Sequence, residues 1–161
     1  RRRLFVASRN VLMAIVWTVP RTLISGVESL PGVLHAPLGM AWDAATGQLI
    51  VADSQGNALR CVDVVRGGIV STLAGVSGLS RDDGDGGPAV TANILRPSGV
   101  ALDAVHRKIY VSTGGNRIRR IDLDSGVIHT VVNTAGAHGF RGDHGPATEA
   151  ELSQPRGLAL S

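Results

Sequence analysis

A chain of 161 residues, 43% hydrophobic and 18% charged, carries enough apolar content for one ordinary core, which excludes a disordered or low-complexity polypeptide. The net charge of +3, with Lys108 the one lysine among 16 basic residues, permits an acidic partner without requiring one. Cys61 is the single cysteine, so no intrachain disulfide can form and the compartment stays undetermined.

The first stretch, RRRLFVASRNVLMAIVWTVP, has an apolar run from Val11 to Trp17. That run is too short to cross a bilayer, which takes about 20 residues, so no membrane span is expected. A signal-peptide reading fits less well than an internal match: RLFVASRN resembles the later QLIVADSQGN, and TLISG resembles STLAG. Residues 1–36 therefore predict the last three strands of an incomplete four-stranded unit. Residues 37–96 predict a full unit, with strands near 39–43, 48–53, 58–63 and 69–74, followed by an insertion. Residues 97–154 predict a second, with strands near 99–103, 108–113, 117–122 and 127–133. Residues 155–161 predict the first strand of another.

Three anchors set this division: PLGMAWD at Pro37, PSGVALD at Pro97 and PRGLALS at Pro155, spaced by 60 and 58 residues. Val51 matches Val111, Asn57 matches Asn116 and Asp63 matches Asp122. Gly and Asn stand at the joints (Thr46-Gly47, Gly56-Asn57, Gly115-Asn116, Ser125-Gly126), where tight hairpins need positive φ. The second strands, with LIVA and IYV, are apolar on both faces, as sheets stacked between neighbours would be. Repeated four-stranded antiparallel units predict an all-β, partial β-propeller. Closed propellers have typically 4 to 8 blades, so the expectation is a slice of a longer protein, or a ring that other chains complete.

The two insertions, GDGGPAVTANIL from Gly84 and GDHGPATEAEL from Gly142, follow the two full units. Pro88 and Pro146 are placed to open a short helical turn at its first position. Asp85 and Asp143 are expected to accept backbone N–H groups in Asx-type turns. A competing reading takes Asp82, Asp83 and Asp85 on this Gly-rich loop, with Asp143 in the second copy, as oxygen ligands for Ca²⁺. No Glu follows at calcium-loop spacing, so the turn role is favoured and no cofactor is expected.

At the channel-side strand ends, Asp53 and its counterpart Thr113 are candidate ligand-reading positions, with a turn hydrogen bond as the plainer role. Arg60, Arg117, Arg119 and Arg120 form the best basic group. Arg117 and Arg119 share a strand face and Arg120 points the other way. Their plain role is pairing with Asp63, Asp122 or Asp124. An RNA surface would add exposed aromatics for stacking, and Phe5, Trp17, Trp42, Tyr110 and Phe140 are few and mostly within apparent core strands. His35, His106, His129, His138 and His144 show no H-x-H or H-x-x-x-H spacing. Single histidines from different blades could still gather a metal, but no Ser-His-Asp arrangement links them.

Together, P-S-G-V-A-L-D, Y-V-S-T-G-G-N-R-I-R-R-I-D and G-D-G-G-P-A resemble NHL repeats, in the variety carrying a GDGGPAT-type insertion between blades. The resemblance is good over residues 37–161 and weak over 1–36. It implies a six-bladed propeller that serves as an interaction platform; some members bind RNA, and relatives with similar propellers are hydrolases or lyases with a central metal. The chain departs from the pattern where N-x-R-I-R becomes NVLMAIV in the first unit and where His144 replaces the Gly86 of the other insertion. The expected function is a non-catalytic scaffold for a protein partner, its remaining blades supplied by the same longer chain or by another. A metal-dependent propeller enzyme and an RNA-binding propeller are the alternatives, and nucleic acid is the less favoured partner.

Overall fold

The computed structural model describes residues 2–8, 11–18, 22–24, 34–66 and 68–160. They form three antiparallel sheets in chain order. The first holds β1 (Arg2–Ser8), β2 (Val11–Thr18) and β3 (Thr22–Ile24) in the order β1-β2-β3. The second holds β4 (Pro37–Asp43), β5 (Gln48–Asp53), β6 (Ala58–Asp63) and β7 (Ile69–Ala74). The third holds β8 (Val100–Asp103), β9 (Lys108–Ser112), β10 (Ile118–Asp122) and β11 (Ile128–Val132). Each is a plain meander, so short hairpins suffice to connect it. Val51 pairs with Met40 and Arg60, and Val111 pairs with Val100 and Arg119, so the two are equivalent by register as well as by sequence. An all-β chain of successive four-stranded sheets fits part of a β-propeller.

The hairpins close on aspartate. Oδ1 of Asp43 accepts the N–H groups of Ala45 and Thr46, and Asp63, Asp103 and Asp122 do the same two and three residues on. A strand-end Asp thus satisfies the donors that a tight turn exposes.

The middle sheet buries both faces. Ile50 and Ala52 face the third sheet in a cluster with Leu59, Val100, Ile109, Val111, Ile121 and Ile128. Leu49 and Val51 face the other way and pack with Leu34, Val62, Met40 and Trp42. Period-2 alternation of apolar residues on both faces is what a stacked sheet demands. The first insertion is a wedge in this stack: Ala89, Ala92 and Ile94 are all buried in the cluster between the second and third sheets. It also covers the outer edge of β11, through Gly86 N–H to Ile128 O (2.8 Å), Ile128 N–H to Gly87 O (3.1 Å) and Ala89 N–H to Gly126 O (2.8 Å). That occupies ladder groups which would otherwise form an open edge.

Each insertion makes a single 3₁₀ turn, at Ala89–Thr91 and Ala147–Glu149. The prolines were expected at the first helical position, and here the structure corrects the sequence reading. Pro88 and Pro146 are the caps before the turn, with extended ψ of 131° and 133°. The Pro88 carbonyl accepts the N–H of Thr91, so proline serves as an acceptor with fixed φ rather than as the opening residue of the turn.

The anchors explain themselves sterically. A Cβ on Gly39 would overlap the carbonyl oxygen of Ser98, and one on Gly99 would overlap that of Arg156. The glycine of each of the first two P-x-G anchors is therefore the seat for the residue after the next anchor proline. The residue before each proline, Ala36, Arg96 or Gln154, has positive φ of 55°, 41° and 46°, a conformation that costs non-glycine residues energy. Arg96 and Gln154 are held from the preceding sheet, where Oδ1 of Asn57 accepts Arg96 N–H (2.9 Å) and Oδ1 of Asn116 accepts Gln154 N–H (3.0 Å). Residues 155–160, the third anchor, have no ladder partner among the described residues.

Candidate binding rim and its buried arginine network

Asp53 ends β5 and is fully buried. The sequence suggested a local turn bond for it; instead its carboxylate reaches outside its own hairpin. It accepts the backbone N–H of His35 and the Nε–H of Arg60 at 3.2 Å, and it fills the space beside Gly56. Arg60 also donates to Thr72 and to Ser77 Oγ (2.8 Å). One carboxylate therefore ties the segment before an anchor to a strand and a turn.

In the third sheet Thr113 stands where Asp53 stood, and the carboxylate arrives from elsewhere. Asp82, on the first insertion, accepts Leu95 N–H (3.2 Å), Thr113 Oγ1–H (2.7 Å) and donors of Arg117 (3.4 Å) and Arg119 (3.5 Å). It lies against Gly115 as Asp53 lies against Gly56. Leu95 and His35 are both two residues before an anchor proline, and Arg119 and Arg60 are register equivalents. The same charge is thus used in the same place, delivered by a strand end in one unit and by a loop in the next.

Arg119, with a side chain only 1% exposed, is the hub of this loop. Its Nη2 and Nε donate to Asp85 Oδ1 at 2.6 and 3.1 Å, its Nη1 donates to Asn93 O at 2.6 Å, and its Nη2 to Asp83 O at 3.0 Å. A buried guanidinium is tolerable only when its charge is countered and its donors are used. The second oxygen of Asp85 accepts Thr130 N–H at 2.9 Å. Burial pushes the Asp85 carboxyl up, and the bonds to Thr130 and Arg119 outweigh it, leaving the group below the ordinary carboxylate value. Asp83 Oδ1 accepts from Asn93 Nδ2 at 2.6 Å.

These contacts change several expectations. Arg60, Arg117, Arg119 and Arg120 do not pair with Asp63, Asp122 or Asp124: Asp63 and Asp122 serve their own turns, Asp122 also takes Lys108, and Asp124 lies against Arg107. Arg117 and Arg119 do share a face, as the strand period requires, and meet at Asp82. Arg120 points away from them, and its buried Nε has no partner among the described residues. Asp85 holds an arginine and a strand amide rather than closing an Asx turn, and Asp143 lies on an exposed stretch of the second insertion. Asp82, Asp83 and Asp85 point at arginine, threonine and asparagine donors. Among the described residues no group of three or more His, Cys, Asp or Glu side chains converges. The histidines are dispersed: His106 meets Asp103 (2.8 Å), His138 meets Ser153 (2.8 Å), and His35 lies 3.9 Å from Asp53. Cys61 is buried, and that burial, with Asp63 and Asp43 nearby, pushes its thiol up.

The residues that follow β5 and β9 do form a surface feature. The turns after β5 and β9 and the residues flanking the anchor prolines enclose a concavity of about 550 Å³. Ser54, Gln55, Arg96, Ser98, Gln154 and Arg156 line it, with Thr113 at its wall. Arg96 and Arg156 are exposed, and their guanidinium groups have no partner among the described residues. Sequence reasoning passed over both and chose Arg60, Arg117 and Arg119, whose charges are internally countered. The available signal was position: each stands beside an anchor proline, at the end of the sheet where successive units converge.

No protein-family model matches the chain. Over 128 residues, 78% of its length, it is 30% identical to "Protein SUPPRESSOR OF QUENCHING 1, chloroplastic" of Arabidopsis thaliana. In structure it resembles a protein of unknown function from Bacteroides thetaiotaomicron, with a TM-score of 0.76 and 19% identity over 96% of this chain. It also resembles an auxiliary nutrient binding protein from the same organism (TM-score 0.65, 14% identity, 96% of this chain) and one from Bacteroides ovatus (0.70, 12%, 98%). The chain spans 12% of the length of the Arabidopsis protein and 38%, 39% and 40% of the three solved chains. At these identities the structural likeness is one of fold.

Proposed function

We propose that this chain is part of an NHL-type propeller that acts as a non-catalytic binding scaffold, with the concave rim around Arg96 and Arg156 as its contact face and an acidic protein segment as its partner. The observation that carries this reading is the pairing pattern of the arginines. Where Arg60, Arg117 and Arg119 are matched by carboxylates, Arg96 and Arg156 stand unmatched on one concavity. Guanidinium groups recognise carboxylates with two parallel bonds, and two on one surface favour an acidic strand or loop. Ser54, Gln55 and Gln154 add neutral donors and acceptors around them.

The test is binding of a panel of acidic and neutral peptides to the chain and to the Arg96→Glu/Arg156→Glu variant. Acidic peptides should bind the parent in a salt-sensitive way and lose about tenfold or more on charge reversal, since loss of a charged hydrogen bond costs about 1.5–3 kcal/mol. Arg66→Glu, in an exposed turn at the opposite end of the sheet, should leave binding unchanged. Equal binding by all three proteins, or none by the parent, would remove the proposal.

One observation favours a second reading. A concavity of about 550 Å³ lies within the ~300–1,000 Å³ range of small-ligand sites, and two fold relatives carry the name auxiliary nutrient binding protein. A small organic acid would then occupy the same arginines. It would raise the melting temperature of the parent and not of the double variant, with no peptide bound by either.

A further inference from the structure

The residue before each anchor proline stands in a conformation that its side chain disfavours. Ala36, Arg96 and Gln154 have φ of 55°, 41° and 46°, in the left-handed region where glycine is the natural occupant. A following proline pushes the backbone toward extended values, so left-handed φ there is unfavourable on two counts. The fold nevertheless places a side chain at this point in each of the three anchors, and a different one each time. All three residues line the concave rim. Strain that the surroundings hold in place, at a position facing a concavity, points to a use for the side chain.

Around Arg96 the hold comes from both sides. Its N–H donates to Oδ1 of Asn57 in the preceding sheet (2.9 Å), and Asn57 is itself left-handed, with φ of 52°, and buried. The residue before it, Leu95, donates its N–H to Asp82 (3.2 Å) and accepts Gly114 N–H from the turn after β9 (2.7 Å). The residue after it, Pro97, is buried. A Cβ on Gly114 would come within 3.1 Å of the Arg96 Cβ, so glycine there makes room for the Arg96 side chain. Gln154 is held in the same way by Asn116, which has φ of 60°, at 3.0 Å. Asparagine suits both tasks: it tolerates positive φ, and its side-chain oxygen accepts a backbone donor. Frame and variable part are thus separate. The backbone demands proline, glycine and asparagine at their places, whereas nothing in it demands Ala, Arg or Gln.

We infer that the residue before each anchor proline is a specificity position of the rim, one per unit, and that Asn57 and Asn116 are the positioning residues that hold Arg96 and Gln154 in place. The inference rests on the reading of the rim as the contact face for an acidic segment, and it assigns the order of groups along that segment. A small side chain lies over Ala36, a carboxylate over Arg96 and a neutral hydrogen-bonding side chain over Gln154. Arg156, two residues beyond Gln154 and on the same concavity, takes a second carboxylate. The separation of the two carboxylates in the partner is then set by which unit carries arginine before its proline, and a partner with another separation leaves a guanidinium unmatched.

The experiment moves the arginine without changing the charge. Arg96→Gln/Gln154→Arg keeps the composition and leaves a non-glycine residue at both strained positions, so circular dichroism and melting temperature should stay those of the parent. Both proteins are titrated with fluorescent Ser/Gly peptides that carry two glutamates at increasing separation. The parent should prefer separated glutamates, to match arginines in different units. The swapped chain, with both arginines flanking Pro155, should prefer adjacent ones by about tenfold. In the parent, Asn57→Gly should weaken the best peptide by about fivefold, and it should add nothing in an Arg96→Ala background. Asn116→Gly, which frees Gln154 instead, should leave the preferred separation unchanged. If the swap loses its fold, Arg96→Gln alone gives the same reading: the preference for separated glutamates should vanish, and its persistence would overturn the inference. A folded swapped chain whose preference does not move, or losses from Asn57→Gly and Arg96→Ala that simply add, would also overturn it, while salt-sensitive binding by the parent and its loss in Arg96→Glu/Arg156→Glu would still uphold the rim as an acidic contact face. A parent that binds none of the peptides would end both.

Discussion

The carboxylate shared by Asp53 in one unit and Asp82 in the next gives a test of sign as well as size. Asp82→Ala removes an acceptor whose side chain is 4% exposed and which takes four donors: Leu95 N–H, Thr113 Oγ1–H, Arg117 and Arg119. Removing one member of a buried ion pair costs about 3–5 kcal/mol. Arg119 keeps Asp85 and two carbonyls, and Arg117, 21% exposed, keeps Thr134 O, so the low end, about 3 kcal/mol, applies. For a chain of this length that lowers the melting temperature by about 6–12 °C. Thr113→Asp alone should also destabilise, because it sets a second carboxylate beside Asp82 in a buried place. In the Asp82→Ala background the same change restores the carboxylate to the position Asp53 occupies in the preceding unit, and should recover about half of the loss. Urea unfolding of the four proteins gives the coupling directly. A loss below about 1 kcal/mol for Asp82→Ala, or two changes that simply add, would refute the equivalence of the two carboxylates.

Gly99→Ala and Gly39→Ala should each cost about 3 kcal/mol, the upper end for overpacking, because the obstacle is backbone carbonyl rather than a side chain that can turn away; thermal unfolding that leaves either variant within about 0.5 kcal/mol of the parent would contradict the seating of successive anchors. Asp122, held down to about 2 chiefly by Lys108 and then by the turn amides, should favour the fold above its unfolded value of 3.8 and lose that contribution as pH falls through 2. The melting-temperature gap between the parent and Asp122→Asn should therefore be constant above about pH 4 and shrink towards pH 2; a gap unchanged across that range would show the ion pair to be inert.

The strands were legible in the sequence because period-2 apolar runs and Gly, Asn and Asp at the joints are local signals, and the observed β4–β11 lie within two residues of the expected spans. The duplication made Asp53 and Thr113 visible as counterparts and placed Arg117 and Arg119 on one face. It also singled out the insertions as units of structure. What it left hidden was the function of their differences. The expected partners of the arginines, across blades, are Asp63, Asp122 and Asp124, yet hairpin amides already occupy the first two.

The chain by itself determined the repeat, its strands and its turns, since each depends on residues a few positions apart. Only the tertiary structure decided that Asp82 and Asp85 counter Arg119 from 34 to 37 positions away, that Arg60 is matched, and that Arg96 and Arg156 are not. Charge pairing is set by distance and burial after the sheets have stacked, and the path of a loop wedged between two of them is fixed by that stacking.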